Sequence, residues 1–391
     1  MNRYLITLTP IDKFFFGGEA TFTRGKNSDN KDLKKFDELY SSYVVKSNLL
    51  PQQTSLLGML RFLLLSNNKD LFVDNKINAE KKNDVIELIG PTSFNVDENN
   101  FSEMKFGKIK FVFPCFIQRK KEGDTEWENL IYAPLDYSLR KVSFEKGKSL
   151  LDKENNLTPI IEGYDAKKGL PSQYIGCKTK WIDESCLFKK DVRIGIDRDI
   201  KGKTKEGAYY KQIFYRFSDK YPISKEECKS HCLRFAFYAD LDYDISSDQK
   251  FIVSLGGDNS QFILQAEKTT DNSEIQLPEA YCNTTNFDNC YAKIVLISDA
   301  LIKKETVNES IFGINDTIIF RFLTSDLDTE NYYKFSGNKH LKRNEKKYNL
   351  YKRGSVFYFK GEEDVKHFET ALKENKRFRQ IGYNYYQTIK K

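Results

Sequence analysis

At 391 residues, with 39% hydrophobic and 14% aromatic content, the chain is excluded from the disordered class and is long enough for two domains of ordinary size. Its 63 Lys and Arg against 56 Asp and Glu leave a net charge of +7, which permits a nucleic-acid partner without requiring one. Seven scattered cysteines and a strand-like start in place of a basic leader point to a reducing, cytoplasmic setting without disulfides, and the longest apolar run, residues 56–65, holds Gly58 and Arg61 and is too short to span a bilayer.

The alternation of residues 4–8 predicts a first strand, followed by a turn at Phe14-Phe15-Phe16-Gly17-Gly18-Glu19. Residues 24–42 are polar and read as a loop or short helix. Pro51 and the hydroxyls of Thr54 and Ser55 predict a capped helix start, and the leucines that follow carry the helix through Leu65. A polar stretch covers residues 66–84. Strands are expected at 108–118, 192–197, 208–217, 233–241, 251–255 and 262–267, with long loops inserted at 119–130 and 145–175. Residues 268–287, rich in Thr, Asp, Asn and Ser, read as a linker. The pattern then restarts: strands at 292–298, 317–323 and 355–359, a charged loop at 325–348, a helix near 364–374 and a final Gly-Tyr strand. Both halves share a β-α-β-β-α-β flavour. This predicts an α+β fold of two ferredoxin-like units, with domains over 1–270 and 288–391.

The sharpest local signal is a hairpin near residues 190–217. An alternating strand, Arg193-Ile194-Gly195-Ile196-Asp197-Arg198, meets a Lys- and Gly-rich tip and a second alternating strand through Phe217. A tip this basic is costly to bury, so it faces solvent or a polyanion, and this protruding basic finger is the best clue to what the chain touches. The helix start offers the hydroxyls of Thr54 and Ser55 and free backbone amides to a phosphate, with Arg61 on the same side; the plainer reading is a capped core helix. Leu255-Gly256-Gly257-Asp258 is either a tight turn or a place where bare backbone meets RNA. Gly382 and Tyr383 lie behind a basic helix, where tyrosines beside Lys and Arg suit base stacking, or else pack in a core.

Catalytic chemistry has little to work with. The three histidines, His231, His340 and His367, belong to no known triad or metal motif, and there is no phosphate-loop signature. Cys228, His231 and Cys232 are possible zinc ligands, but no second pair follows at the usual spacing, so no metal or cofactor is assigned. Asp240, Asp242 and Asp244 alternate as a solvated face or a cation site.

Taken in order, Phe15-Phe16-Gly17-Gly18, residues 53–61, Gly90-Pro91, Arg193 to Arg198 with Glu206-Gly207, residues 255–258, residues 354–359 and the Gly382 loop resemble the RAMP family of subunit three of the Cmr (type III-B) CRISPR effector. The resemblance implies two RAMP domains with a β-hairpin thumb. It also implies a non-catalytic role holding the 5′ tag of a guide RNA, displacement of a base near the start of the guide–target duplex, and docking on a large polymerase-like subunit and neighbouring backbone RAMP subunits. Carried over, Gly17, Gly18, Thr54, Ser55 and Arg61 face the tag, Arg193, Arg198, Lys203 and Lys205 lie on the thumb, and Gly256, Gly257, Gly382 and Tyr383 form glycine-loop contacts. Departures fall at Leu50-Pro51-Gln52, at Lys352-Arg353 and at Asn384, where a second glycine is common. A rival reading is a metal-independent RAMP endoribonuclease that processes guide RNA, for which His231 is the candidate base.

Overall fold

The computed structural model describes all residues except 19, 24–41, 74–75, 147–156, 199, 223–227, 271–274, 284–285, 325–341 and 345. The expected loop or helix at 24–42 and most of the charged loop at 325–348 therefore lie outside the described residues.

The fold is α+β, rich in sheet and sparing in helix. Its N-terminal part is built on β1 (Asn2–Pro10), whose Tyr4, Ile6 and Leu8 are wholly buried on one face. In chain order there follow β2 (Ala20–Thr23), β3 (Ser42–Lys46), α1 (Gln53–Ser66), α2 (Lys82–Ile89), β4 (Ile109–Val112), β5 (Phe116–Lys121), β6 (Glu128–Tyr132), β7 (Gln173–Gly176) and β8 (Ile182–Asp183). Then come β9 (Phe188–Arg198), β10 (Thr204–Phe217), β11 (Lys220–Pro222), β12 (Cys228–Leu241), β13 (Phe251–Ser254) and β14 (Gln261–Thr269). A ten-stranded sheet runs β8-β7-β6-β5-β12-β1-β14-β13, with β4 and β11 also pairing with β12. Leucines 56, 57, 60, 63 and 64 of α1 join the core of this sheet.

The C-terminal part continues with β15 (Ala292–Leu296), β16 (Phe312–Ile314), β17 (Val356–Phe359), α3 (Glu362–Glu374), α4 (Lys376–Gln380) and β18 (Tyr386–Lys390). Its four-stranded sheet has the order β16-β17-β15-β18.

Several expected elements change. The strand expected over 108–118 is two strands, β4 and β5, separated by Phe113-Pro114-Cys115. The loops expected at 119–130 and 145–175 contain β6, β7 and a strand at Leu157–Glu162. Pro159 is tolerated there because that strand lies at the edge of its three-stranded sheet. The expected linker is packed rather than free: Tyr281 is buried on a short helix, Glu279–Cys282, and Leu277 and Phe287 are buried beside it.

Two of the three hydrophobic clusters draw on both parts of the chain. The largest joins the α1 leucines to Phe320, Phe322, Phe378 and Tyr383. Only the cluster around Ile294, Phe357 and Phe368 belongs wholly to the C-terminal part.

Buried polar groups staple the parts together. Asp136 and Lys293 are both fully buried and form an ion pair at 2.6 Å. The Lys293 ammonium also donates to the Tyr281 hydroxyl at 2.8 Å and to Asn286 Oδ1 at 2.7 Å, so all three of its protons are used. Asp136 accepts in turn from Tyr281 at 2.7 Å and Tyr358 at 2.8 Å. Burial, reinforced by the Asp136 charge, holds the Tyr281 phenol well above its usual range. Elsewhere the buried Arg353 pairs with Asp299 at 3.3 Å and donates to the Cys115 carbonyl at 3.0 Å.

Breaking such a pair from one side strands a charge in the core. Lys293→Met is expected to cost about 3–5 kcal/mol of stability, and pairing it with Asp136→Asn to restore much of that loss. Denaturant unfolding of the two variants checks this; equal loss in both contradicts it.

Candidate nucleic-acid interface

The segment from Phe14 to Gly18 is a hub. Phe14 exchanges backbone bonds with Tyr215 at 2.7 and 3.1 Å, Phe15 N–H donates to Ser260 Oγ at 2.9 Å, and Phe16 N–H donates to Ser47 Oγ at 2.8 Å. The rings of Phe14 and Phe16 stack at 4.8 Å and pack on Phe217, Phe235 and Phe262. Phe188 and Phe217 are register partners at the foot of the β9–β10 hairpin, with rings 5.4 Å apart. Buried aromatics thus fix the hairpin's root, while β10 pairs in parallel with β3 along Tyr210–Ile213.

Beyond the root the hairpin is exposed. Its two faces differ because register partners share a side. One face carries Val192, Ile194 and Ile196, all close to half exposed. The other carries Arg193, whose guanidinium lies over the Phe214 ring at 4.8 Å, and Gly195. A Cβ on Gly195 would sit 2.1 Å from the Tyr210 ring, so glycine lets that ring lie flat across the strand. A bulge between Ile196 and Arg198 precedes the tip. Arg198 and Lys203 are exposed there, and Ile200 is fully exposed; Lys205 lies on β10. Three of the four expected basic side chains therefore share one protruding element with an apolar residue at its apex.

The glycine positions divide. Gly17 is partly exposed, and Gly18 passes so close to the Lys46 carbonyl that a Cβ would overlap it at 1.8 Å. Gly256 and Gly257 form the tight turn of the plainer reading, docked on the hub by Gly257 N–H to Phe15 O at 2.7 Å. Asp258 of that turn accepts from Gln212 of β10, tying the turn to the hairpin. The residues Gly17, Gly18, Gly256 and Gly257 thus gather at the hairpin's root.

Three other expectations are corrected. The helix start is capped by Gln52 without a side-chain bond, not by Thr54 or Ser55, which are partly buried in the first turn. Tyr383 is buried with its ring against Phe320 and Phe378, its hydroxyl has no hydrogen-bond partner among the described residues, and burial raises its phenol above the usual range. Gly382 is buried at φ +91°, where a Cβ would strike Gln53 Nε2 at 2.0 Å. Gln53 uses that nitrogen to bridge the Phe113 and Gly382 carbonyls at 3.0 and 3.1 Å. Arg61 is buried too, donating to Ile89 O at 2.9 Å and Gly90 O at 3.3 Å, so it closes the C-terminal end of α2 instead of facing RNA.

Beside the start of α1 lies a cleft of about 410 Å³, lined by Lys46, Gln52, Tyr132, Glu184 and Lys352 among others. Lys352 stands 3.2 Å from Asp316 and over the Tyr132 ring at 5.8 Å. Burial raises the Glu184 carboxyl, while Lys352, Lys46 and Lys190 pull it back. No local sequence signal marks this cleft, because its walls come from seven separate stretches of the chain.

The family model described as CRISPR-associated protein (Cas_Cmr3) matches residues 6–390. The chain belongs to that family, subunit three of the type III-B Cmr effector. A comparison with curated proteins returns no match. Among solved structures, a chain of a type III-B Cmr-beta complex bound to cognate target RNA is 15% identical at a TM-score of 0.45, covering 98% of this chain and 96% of that one. A second structure of that complex, with target RNA and AMPPnP, gives 14% identity, a TM-score of 0.43 and the same coverage. A chain of the Csm3-Csm4 subcomplex of the type III-A interference complex gives 11% identity and a TM-score of 0.30, with 91% and 92% covered.

Among the described residues, those raised for other chemistry are not assembled into a site; the Cys228 side chain and His340 lie outside them. His231 and Cys232 are neighbours on β12 and point to opposite faces; His231 is buried and Cys232 exposed. They cannot share a metal. Among the described residues no cluster of His, Cys, Asp or Glu is placed to hold one. As the candidate ribonuclease base, His231 fails on position: it stacks on Tyr221 at 5.1 Å inside the sheet. Burial, aided by the nearby Arg119 charge, pushes its pKa down to about 4. Asp240 is occupied by Arg3 at 2.7 Å, while Asp244 holds Lys268 at 2.8 Å on a solvated face.

The His231 shift fixes a pH dependence. The unfolded chain takes up this proton near pH 6.5 and the folded chain only near 4, so His231's contribution is intact above 6.5 and is lost as pH falls toward 4. After discounting for solvent, the loss is on the order of 2 kcal/mol. His231→Phe is expected to flatten this part of the stability profile in denaturant titrations between pH 7 and 4. An unchanged slope contradicts the assignment.

Proposed function

We propose that this chain is a non-catalytic RNA-binding subunit that holds the 5′ tag of a guide RNA and docks on the large polymerase-like subunit and adjacent backbone RAMP subunits. The β9–β10 hairpin carries the reading. Its root is locked by buried aromatics while Arg193, Arg198, Lys203 and Ile200 stand in solvent. Cations on such an element neutralise phosphates, and an apolar apex is suited to displacing a base near the start of the guide–target duplex. Target RNA in the complexes of similar structures is a property of those complexes; here it supports the choice of an RNA ligand.

Chain topology supports two RAMP units with the boundary expected between residues 270 and 288. In the C-terminal sheet the strands, numbered by chain order, lie 2-3-1-4, with α3 between the third and fourth. The N-terminal sheet repeats the order at its centre, where β5, β12, β1 and β14 are neighbours. In this proposal Gly17, Gly18, Gly256 and Gly257 line the tag's path at the hairpin root, whereas Arg61, Gly382 and Tyr383 keep that scaffold in shape.

Arg193→Glu, Arg198→Glu and Lys203→Glu combined are expected to weaken guide-RNA binding at least tenfold. Each lost phosphate contact also lowers the slope of log affinity against log salt by about 0.7. A matched reversal at the exposed Lys69, Lys76 and Lys304 is the control. Equal affinities for the two triple variants in filter-binding titrations overturn the proposal.

A further inference from the structure

Away from the hairpin, a cavity of about 800 Å³ opens among residues 137–140, 173, 175–181, 278, 280, 281 and 286. Its walls include Tyr137, Leu139, Ile175 and Trp181, and its rim carries Arg140, Lys178 and Lys180. Trp181 is half exposed at the cavity wall, which leaves its ring open to a ligand. Among the described residues no Asp or Glu lines the cavity. Lys178 is engaged by Glu126 at 3.1 Å, but among the described residues the side chains of Arg140 and Lys180 have no ion-pair partner. The floor is rigid. Tyr281 and Asn286 line it, and both are held by the Asp136–Lys293 network. Tyr137 leans on the Tyr281 ring at 5.8 Å and anchors its hydroxyl on the Lys180 carbonyl at 2.7 Å.

The volume falls in the range of small-ligand sites. Cations without acids select an anion, and a half-exposed indole beside a phenol offers planar faces for a ring to stack on. We infer that this cavity binds a nucleoside phosphate, with the base on Trp181 and the phosphate between Arg140 and Lys180. The same chemistry is met by a free nucleotide and by the end of an RNA strand. None of the hairpin residues takes part, so this site is independent of the tag-binding proposal.

The test titrates the full chain with AMP, with a 5′-phosphorylated, unstructured eight-nucleotide RNA, and with inorganic phosphate. Trp127 and Trp181 are the two tryptophans, so subtracting the Trp181→Phe signal isolates the Trp181 emission. Saturable quenching by AMP identifies a free-nucleotide site; quenching by the RNA alone identifies a strand end. In either case Arg140→Glu with Lys180→Glu weakens binding at least tenfold. Trp181→Ala, followed by calorimetry, weakens it roughly five- to hundredfold. The Arg140 and Lys180 changes leave hairpin-dependent guide binding unaltered, which separates failure here from failure of the tag-binding reading. No response to AMP or RNA, an equal response to inorganic phosphate, or affinities unchanged in the variants overturns the inference.

Discussion

The structure depends on the aromatic lock at the hairpin's root. A two-stranded ribbon reaching into solvent is marginal by itself. Here Phe14, Phe16, Phe188 and Phe217 bury its base against Phe235 and Phe262, strands of the main sheet that would exist without it. The same segment, residues 14–18, seats the Gly256-Gly257 turn and the end of β3. One short aromatic stretch therefore sets the direction of the basic tip and positions the glycines around it. Charge placed on such an element needs little reorganisation to meet a polyanion, which is the advantage of carrying it on a fixed ribbon instead of a free loop.

A second constraint keeps the two parts of the chain in one arrangement. Asp136–Lys293 is a buried pair that spans the two parts with its hydrogen-bonding groups met, and the buried Arg353, paired with Asp299 inside the C-terminal part, reaches across to the Cys115 carbonyl. Such pairs add little net stability over an apolar core, but they penalise every arrangement that separates them. The Gln53 bridge to the Gly382 carbonyl acts likewise across more than 300 residues of chain. The floor of the cavity beside Trp181 is part of this system, which links its shape to the docking of the two parts.

The hairpin was legible because alternation, aromatics at the base and a Lys/Gly tip are all local signals. The α1 helix was legible for the same reason. Its cap differs from the expected one because Gln52, which makes no side-chain bond, holds the capping position and Thr54 and Ser55 lie inside the first turn. Arg61 was placed on an RNA surface because sequence spacing gives its face and not its partners, the Ile89 and Gly90 carbonyls. The roles of Lys293 and Asp136 were also missed. A lysine flanked by Ala292, Ile294, Val295 and Leu296 in a buried strand was the available signal, since such a position demands a carboxylate. The strands at β6, β7 and Leu157–Glu162 were overlooked because they are short, and one of them contains proline.

The most direct measurement places a photo-crosslinking amino acid at Ile200 in the effector assembled with its guide RNA, with the exposed Phe62 position of α1 as reference. The account predicts adducts on the guide strand at its 5′ tag end from position 200 and few or none from position 62. Adducts from position 200 to protein alone, or equal RNA labelling from both positions, would contradict it.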